Sequence, residues 1–431
     1  MSYKPFITKI PIVDNILNKK HNIIQNRFEN LPLLNLGFHT YIHQNKNKMG
    51  DKKLLQSKFY LVTNKFEHIV NDYSDDLKKY SKKYFNFNKE KPNIISRAFF
   101  KLWEIIMYFD LIKSNNNYLS CHIAEGPGSF VQASMFFREM FFNKESKKDN
   151  YCAITLHSNE KSVPQFKKHF MECYSSGKKP KFILHTTYSE EDSLEDNHKD
   201  DGDVTNPKTI NNFKTTINKT KKLADLVTAD GGFVWKNENF QEQESYIMIF
   251  GEIITAINIQ KKGGHFVLKI FETFTKLSLK YICILKSLYN EVYICKPLTS
   301  RPSNSEKYIV CKDFKLNDKE KTPIITKLID VLEQMNKINQ SNNFVSDIFS
   351  DYIISDELKK QITEMNTNLS NTQYMAINKI IIYKNGNNYF GKEYHNFKDE
   401  QINANKWWID TFYPKKSSNL KDCLKNINKI M

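Results

Sequence analysis

Lys269 is the residue whose surroundings in the sequence most strongly predict chemistry. It lies in GGHFVLKIF (263–271), where its nearest neighbours are all leucine, isoleucine, valine or phenylalanine. If this strand is central in a sheet, a buried ammonium group must lose its proton or find a carboxylate. An edge strand, or an exposed strand end, would make the same lysine ordinary. Because buried ionisable groups cluster at functional sites, we interpret Lys269 as a site residue.

Three further charged residues occupy comparable positions. Asp230 ends the apolar run ADLVTAD just before two glycines, where the alternative is an aspartate that caps a turn. Lys101 lies in RAFFKLWEII, which has little polarity around it, and Glu306 follows SRPSNS at the start of a predicted strand. Taken singly, each could be an ordinary surface residue.

Together, two lysines and two carboxylates suit methyl transfer to a hydroxyl group. A ribose hydroxyl is a poor acid and a poor nucleophile, so the reaction needs a base held in line with the methyl donor. A lysine whose pKa is lowered by desolvation and by a second nearby cation could be that base. The carboxylates would orient its amine, and the set requires no metal.

A glycine turn in AEGPGSF (124–130) predicts a cofactor site. Gly126 and Gly128 lie between a predicted strand and a predicted helix, where missing side chains let the backbone approach a ligand. A nicotinamide-dependent dehydrogenase would show a full GxGxxG with an acidic residue about 20 positions further on. The third glycine is absent, so the turn favours adenosylmethionine over a dinucleotide.

The elements that must position these residues alternate between short apolar runs and helices from Leu119 onward. This alternation predicts an α/β fold with a mostly parallel sheet and crossover helices on both faces. In such sheets, ligands gather at the carboxyl ends of the strands. The pattern predicts strands at 119–124, 151–156, 181–186, 224–230, 265–271, 291–297 and 306–314, and helices at 94–113, 129–141, 245–262 and 276–289.

The segments outside this pattern predict extensions of the catalytic domain. We divide the chain into a basic arm with a helical stretch (1–90, helical spacing in 59–84), the α/β domain (91–315) and a mainly helical, Asn/Lys-rich region (316–431). Glu190 to Asp203 is polar and acidic and is predicted to be a loop. WWIDTFYPKK (407–416) is the aromatic landmark of the last region.

Composition limits the function classes. Lys and Arg outnumber Asp and Glu by 64 to 48, giving a net charge of +16 that attracts polyanions such as nucleic acid, although a lysine-rich codon bias has the same effect. No apolar run is long enough for a membrane span, and the N-terminus lacks a secretory signal core, so we expect a soluble intracellular protein. The seven cysteines form no CxxC pair, and His39 and His43 stand four apart with no third ligand in view. We therefore expect neither a disulfide framework nor a structural metal.

Six ordered stretches carry a family resemblance over residues 94–314. They are SRAFFKL, AEGPGSF, DGDVTNP, ADGGF, GGHFVLKIFETFT and KPLTSRPSNSEKYIVCK. The chain resembles the FtsJ-like (RrmJ-type) RNA 2′-O-methyltransferases, and within them the mRNA cap 2′-O-methyltransferases of eukaryotes and large DNA viruses. The resemblance implies a Rossmann-like methyltransferase fold with an antiparallel last strand pair, S-adenosylmethionine as cofactor, and methylation of the first nucleotide of capped mRNA.

The resemblance also assigns roles to residues. The Lys-Asp-Lys-Glu tetrad of the family falls on Lys101, Asp230, Lys269 and Glu306, with Lys269 as the base that acts on the 2′-hydroxyl. Asp203 and Val204 are implied to border the adenine. The full set of implied cofactor contacts is Ser96, Ala124, Glu125, Gly126, Pro127, Gly128, Ser129, Phe130, Asp203 and Val204.

The sequence departs from the family pattern in the first strand and the turn that follows it. His122 stands where the family usually has an acidic residue at the end of that strand. Glu125 replaces a frequent small residue and could compensate from another angle, and Ser129 replaces a frequent glycine. These departures bear on cofactor affinity and leave the tetrad intact.

Two alternatives stay open. One is a methyltransferase of ribosomal or other structured RNA, although the minimal ribosomal enzymes are much shorter than this chain. The other is a non-catalytic RNA-binding scaffold subunit of a capping complex, although loss of tetrad residues would be expected there. We expect RNA as the partner, with a capping-complex subunit as a further one. We expect a cytoplasmic location, in host cytoplasm or virion if the Asn/Lys/Ile bias reflects a viral genome, with the nucleus as the alternative.

Overall fold

A computed structural model of the chain describes most of its residues. The described ranges are 3–49, 59–67, 94–158, 163–166, 181–185, 201–232, 235–237, 239–386, 391–412 and 419–430. Most of the predicted acidic loop 190–203, and the predicted helical stretch beyond residue 67, lie outside these ranges.

Ten strands and thirteen α-helices are found in the described residues. The strands are β1 (Phe6–Lys9), β2 (Ile23–Asn26), β3 (Leu119–Ile123), β4 (Asn150–Ala153), β5 (Lys181–Leu184), β6 (Ala224–Ala229), β7 (Gln260–Ile270), β8 (Tyr289–Lys296), β9 (Lys307–Phe314) and β10 (Phe344–Ile348). The helices are α1 (Leu36–Lys48), α2 (Phe59–Val62), α3 (Ala98–Phe109), α4 (Ser129–Phe141), α5 (Asn143–Ser146), α6 (Pro207–Asn218), α7 (Gln241–Glu244), α8 (Tyr246–Ile259), α9 (Lys276–Leu288), α10 (Asp318–Gln340), α11 (Asp356–Asn385), α12 (Lys392–Phe412) and α13 (Leu420–Asn428).

One eight-stranded sheet organises the molecule, in the order β1-β8-β9-β7-β6-β3-β4-β5. Strands β3 to β7 pair in parallel, whereas β9 pairs antiparallel with both β7 and β8. The predicted α/β class and the antiparallel last pair are confirmed. Strand β7 lies between β6 and β9, so the strand of Lys269 is central and not an edge.

Helices cover both faces of the sheet, as predicted. On one face, α8 and α9 pack on the sheet through residues such as Ile253 and Leu285, and α10 packs on α8 and adds Leu328 to the same core. On the other face, α3, α4 and α12 bury Trp103, Phe137 and Trp408 among others. The C-terminal helices α10 and α12 therefore complete the two cores. The catalytic strands are held from both sides.

The junction between α8 and β7 differs from the prediction. The helix was expected to reach residue 262 and the strand to begin at residue 265, but α8 ends at Ile259 and β7 begins at once with Gln260. Gln260 pairs with Ala224 before a register shift, and its side-chain amide donates to the backbone oxygen of His265 at 2.5 Å. Gly263, at φ +80°, allows the irregular stretch between them.

The terminal segments are mainly helical, as predicted, but they also contribute strands that the sequence pattern did not reveal. Strand β1 extends the main sheet by pairing antiparallel with β8, and β2 pairs with β10 in a separate two-stranded sheet. Within the described part of the chain, no helix has the length and apolarity that a membrane crossing requires. The six described cysteines are buried and free.

Candidate active site

The sheet topology brings three tetrad residues to one edge. Asp230 follows β6 and Lys269 is the penultimate residue of β7, so both lie at the carboxyl ends of parallel strands. Strand β9 runs in the opposite direction, and Glu306, which precedes it, therefore reaches the same edge. Lys101 comes from the first turns of α3, which packs across this end.

The four residues form two ion pairs. The Nζ of Lys269 lies 3.2 Å from Oδ1 of Asp230 and donates to the backbone oxygen of Asp230 at 2.8 Å. The Nζ of Lys101 lies 2.7 Å from Oε1 of Glu306 and 2.9 Å from its Oε2. All four side chains are partly accessible, between 11% and 19% exposed, so a substrate can reach them.

The pKa of Lys269 is shifted in the direction opposite to the one expected from the sequence. Burial lowers the pKa of the Lys269 amine, but Asp230, Glu306 and Glu252 together raise it above its ordinary value. The attraction outweighs desolvation because Asp230 and Glu306 both lie near one ammonium group. The site therefore holds Lys269 as a cation, and proton loss must precede any role as a base.

Glu306 is the anionic counterpart. Although burial opposes its ionisation, Lys101 and Lys269 lower the pKa of the Glu306 carboxyl to about 2. Ser300 donates its hydroxyl to Oε1 of Glu306 at 2.9 Å, and Tyr308 donates its hydroxyl to Oδ1 of Asp230 at 3.1 Å. The sequence analysis missed both hydroxyl donors. Only the register, which places Tyr308 opposite Lys269, reveals that this tyrosine belongs to the site.

Two further lysines, half-buried Lys296 and buried Lys307, lie behind Glu306. Burial lowers the pKa of Lys296 to about 7 and that of Lys307 to about 8. The Lys296 amine donates to the backbone oxygens of Asn304 and Glu306, at 2.8 and 2.6 Å, and the Lys307 amine donates to that of Phe271. These contacts fix the loop that presents Glu306, which is a structural use of both amines.

The glycine turn follows β3 at the point where the strand order reverses, with β4 on one side of β3 and β6 on the other. Such a reversal opens a crevice for ligands. Glu125 does not point out of the turn: its Oε1 accepts the backbone N–H groups of Phe130 and Val131, at 2.7 and 3.1 Å. Its carboxylate thus caps the start of α4. Ala124 has φ +51°, which is strained for a residue with a Cβ.

His122 lies inside β3 and is fully buried. Its ring nitrogens lie 2.8 Å from the hydroxyls of Ser120 and Thr228. Burial lowers the pKa of His122 to about 3, so the ring is neutral at physiological pH. The histidine therefore does not replace the negative charge that the family usually has at this position.

The predicted adenine-bordering residues lie beside the end of β4. Asp203 accepts the N–H of Thr205 at 2.8 Å through Oδ1, while Val204 is buried. Gly202 has φ +80°, and a Cβ there would meet the backbone oxygen of Thr155 at 2.1 Å. The turn from Gly202 to Val204 is thus packed closely against the residues that follow β4.

Ser96 and Ser129 join the glycine turn to the segment before α3. Their hydroxyl oxygens lie 2.7 Å apart. The structure therefore places every residue of the predicted cofactor set along the carboxyl ends of β3 and β4, with Ser96 on the side of α3.

A buried ion cluster, also missed from the sequence, ties the N-terminal segment to the Glu306 loop. Glu67 is 1% exposed and accepts two hydrogen bonds from Arg301, at 2.6 and 2.8 Å, and one from Arg97 at 3.2 Å. Although burial opposes ionisation, Arg301 and Arg97 lower the pKa of Glu67. Arg97 directly precedes α3, one turn before Lys101. The cluster therefore links both sides of the Lys101–Glu306 pair.

The structure supplies the third side chain that the His39–His43 pair lacked in the sequence. His43 Nε2 lies 3.0 Å from Oε2 of Glu272, and the three residues could surround a metal ion. However, Lys46 Nζ lies 2.7 Å from the other oxygen of Glu272. The carboxylate charge is thus already balanced by a lysine, and the cluster is explained as an ion pair that joins α1 to the residues after β7.

Comparison with known proteins now gives the family. The sequence pattern described as FtsJ-like methyltransferase matches residues 94–314, slightly more than half of the chain. The chain belongs to the FtsJ-like methyltransferase family. The sequence-based predictions of a methyltransferase and of S-adenosylmethionine as its cofactor are thereby confirmed.

Curated relatives match parts of this FtsJ-like chain. The cap-specific mRNA (nucleoside-2′-O-)-methyltransferase 1 of Mus musculus is 39% identical over 152 residues, which are 34% of this chain and 17% of that protein. The protein of the same name from Caenorhabditis elegans is 33% identical over 219 residues, 49% of this chain and 23% of its own. The chain thus spans less than a quarter of the length of these two relatives.

Among solved structures, a putative ribosomal RNA methyltransferase from Plasmodium falciparum is 18% identical, with a TM-score of 0.33, and the match covers 51% of this chain and 97% of that one. A putative class I S-adenosylmethionine-dependent methyltransferase from Listeria monocytogenes is 12% identical, with a TM-score of 0.32, over 69% of this chain and 99% of that one.

Proposed function

We propose that the chain methylates the ribose 2′-hydroxyl of RNA, with the first nucleotide of capped mRNA as the acceptor. The observation that carries the proposal is the convergence of two lysine–carboxylate pairs beside the glycine turn. Both lysines are partly accessible and both are fixed by carboxylates within 3.2 Å. The cap-specific names of the relatives support this choice of acceptor.

In this proposal, Lys269 is the general base. The amine, once neutral, would accept the proton of the 2′-hydroxyl at Nζ while the oxygen takes up the methyl group and the methyl–sulfur bond breaks, which leaves a neutral thioether. Asp230 orients the amine through its carboxylate and its backbone oxygen. Lys101 and Glu306 lie on the other side, where the Lys101 ammonium can stabilise negative charge that develops on the oxygen.

The residues of the glycine turn fit S-adenosylmethionine. When bound, the cofactor supplies a methyl group made electrophilic by a sulfonium. Gly126 and Pro127 are partly accessible at the carboxyl end of β3, and the Asp203–Val204 turn lies across β4 from them. We assign the methionine part of the cofactor to the turn from Ala124 to Phe130 together with Ser96, and the adenine to Asp203 and Val204.

The net charge of +16 supports an RNA acceptor, because each phosphate contact with a lysine or arginine releases counterions. We place the acceptor ribose between the Lys101–Glu306 pair and the Lys269–Asp230 pair.

The division of the chain at residues 90 and 315 remains a prediction. In this division, the regions 1–90 and 316–431 support the site of the α/β domain instead of forming separate units.

The test is methyl transfer from radiolabelled adenosylmethionine to three acceptors: capped mRNA, the same RNA uncapped, and ribosomal RNA, with mapping of the modified nucleotide. We expect labelling of the first nucleotide of capped RNA, and a loss of at least about 10²-fold for Lys269→Ala. Lys312→Ala, on the same antiparallel strand pair but at the far end of β9, is the matched control.

Three outcomes would count against parts of the proposal. Equal labelling by wild type and Lys269→Ala refutes the assignment of the base. Preference for ribosomal RNA refutes the cap assignment and favours a structured-RNA enzyme. Binding of RNA without labelling of any acceptor favours the scaffold alternative.

A further inference from the structure

A buried carboxyl group that the sequence analysis did not consider lies beneath the reaction centre. Glu252 is on α8 and is fully buried. Its Oε1 accepts the backbone N–H of Gly231 at 3.1 Å. Among the residues that the structure describes, its Oε2 has no hydrogen-bond partner. A carboxyl group with an unpaired oxygen is costly to bury, so packing alone does not explain why a glutamate occupies this position.

The carboxyl of Glu252 lies close against the backbone of Gly231. A Cβ on Gly231 would lie 2.3 Å from Oε1 of Glu252, so only glycine allows the carboxyl to approach the backbone this closely. On the preceding position of the helix, a Cβ on Gly251 would lie 2.2 Å from the backbone oxygen of Val204. Helix α8 is therefore in close contact with two turns of the site at successive residues.

The turn that Glu252 holds is the one that fixes Lys269. Gly231 directly follows Asp230, whose backbone oxygen accepts a hydrogen bond from Lys269 Nζ at 2.8 Å. The next residue, Gly232, is so close that a Cβ there would lie 3.3 Å from the same Nζ. A shift of this turn would therefore move the amine away from the line of attack, and small misplacements are expensive in catalysis.

We propose that Glu252 is a positioning residue for Lys269: it holds the Asp230–Gly232 turn by accepting the Gly231 N–H. The inference rests on the proposed role of Lys269 as the base. In this role Glu252 never contacts the acceptor. Its proton matters because an ionised Glu252 would add another negative charge to those that already keep Lys269 protonated.

The electrostatics of the site agree with a neutral acid. Burial raises the pKa of Glu252 to about 8, and Asp230 acts in the same direction, while Lys269 and the Gly231 N–H oppose it. In turn, Asp230, Glu306 and Glu252 are the carboxyl groups that raise the pKa of Lys269. Glu252 carries its charge only above about pH 8, so removing its ionisable group should make Lys269 easier to deprotonate in that range.

Two substitutions separate the hydrogen-bond acceptor of Glu252 from its charge. Glu252→Gln keeps an oxygen for the Gly231 N–H and cannot ionise, whereas Glu252→Leu has a similar size and no acceptor. Thr255→Val is the matched control: Thr255 is buried one turn further along α8, and its hydroxyl donates to the backbone oxygen of Gly251 in its own helix. The assay measures kcat and KM on RNA from pH 6 to 10, with hydrogen exchange of residues 227–232 on the full chain.

We expect Glu252→Gln to keep kcat within about twofold and to shift the rising limb of its pH profile to lower pH. For Glu252→Leu we expect kcat to fall by at least about 10-fold, with the KM for adenosylmethionine nearly unchanged. We also expect faster hydrogen exchange in residues 227–232. Wild-type kcat in folded Glu252→Leu overturns the proposal, as does equal loss in both variants.

If Glu252→Leu fails to fold, the pH profile of Glu252→Gln decides, and an unshifted limb overturns the proposal. If the wild type labels no RNA, the proposed function fails by itself. Hydrogen exchange in Glu252→Leu and Glu252→Gln then still tests whether Glu252 holds the turn, and equal protection in both variants and wild type refutes it.

Discussion

Gly251→Ala is the substitution for which the structure gives the most direct expectation. The added Cβ would lie 2.2 Å from the backbone oxygen of Val204, and backbone cannot rotate away as a side chain can. Relief of this contact requires the Asp203–Val204 turn to move by roughly 1 Å, because ordinary contacts begin near ~3.4 Å. Since we assign adenine to this turn, the displacement should weaken cofactor binding.

The magnitude follows from two opposing effects. Alanine gains about 1 kcal/mol over glycine in a helix interior, whereas overpacking against rigid structure costs about 1–3 kcal/mol. The free energy of unfolding should therefore fall by about 0–2 kcal/mol. The KM for adenosylmethionine should rise by about 3- to 10-fold, which corresponds to roughly 0.7–1.4 kcal/mol of binding energy.

The control is the same substitution at Gly37, on α1, where nothing lies within 4 Å of an added Cβ. We expect Gly37→Ala to leave KM unchanged and stability unchanged or slightly higher. The assays are urea unfolding and steady-state methyl transfer with varied cofactor. If Gly251→Ala binds the cofactor as tightly as Gly37→Ala does, then the Val204 turn is not part of the cofactor site.

Three further perturbations test other parts of the structure. Because its carboxylate neighbours raise the pKa of Lys269, the neutral base is scarce at pH 7, and kcat should rise with a log slope of about 1 from neutral pH upward; a flat single-turnover profile would exclude Lys269 as the base. Arg301→Lys loses the two-pronged contact with buried Glu67 and should lower the free energy of unfolding by about 1–3 kcal/mol in urea titration; an unchanged midpoint would mean that Arg97 alone suffices. Trp408→Phe replaces the indole with a smaller aromatic ring and removes the N–H donor to Glu104 at 2.9 Å, which should cost about 1–2 kcal/mol in the same titration, whereas no loss would show that the other donors to Glu104 compensate.

The sequence was sufficient for the fold class because its apolar runs have strand and helix periods that local rules can interpret. It also revealed Lys269, since a charge in an apolar strand is visible without a structure. Glu252 carried the same signal, a carboxylate among apolar helical residues, and could have been found by the same reasoning. Its contact with Gly231, which joins α8 to the turn after β6, is visible only in the folded chain.

Other parts of the site depend on pairings that no local pattern encodes. Glu306 reaches the end of β7 only because β9 runs antiparallel, and Tyr308 joins the site only through its register with Lys269. The four residues of β1 are too few to show a period, so its place beside β8 was invisible. His122 is the penultimate residue of β3, and only the structure shows that both its ring nitrogens lie beside hydroxyls, those of Ser120 on its own strand and Thr228 on β6.

The charge state of Lys269 shows why composition around a residue does not fix its pKa. The apolar neighbours along the strand imply desolvation, which lowers the pKa of a lysine, and the second lysine was expected to act in the same direction. Folding instead places Asp230 and Glu306 near the amine from neighbouring strands, and their attraction exceeds the cost of burial. The carboxylates that orient the proposed base thus also hold its proton. A site of this kind needs any additional carboxyl group nearby to stay neutral, and Glu252, with its pKa raised to about 8 by burial, meets that requirement below that pH.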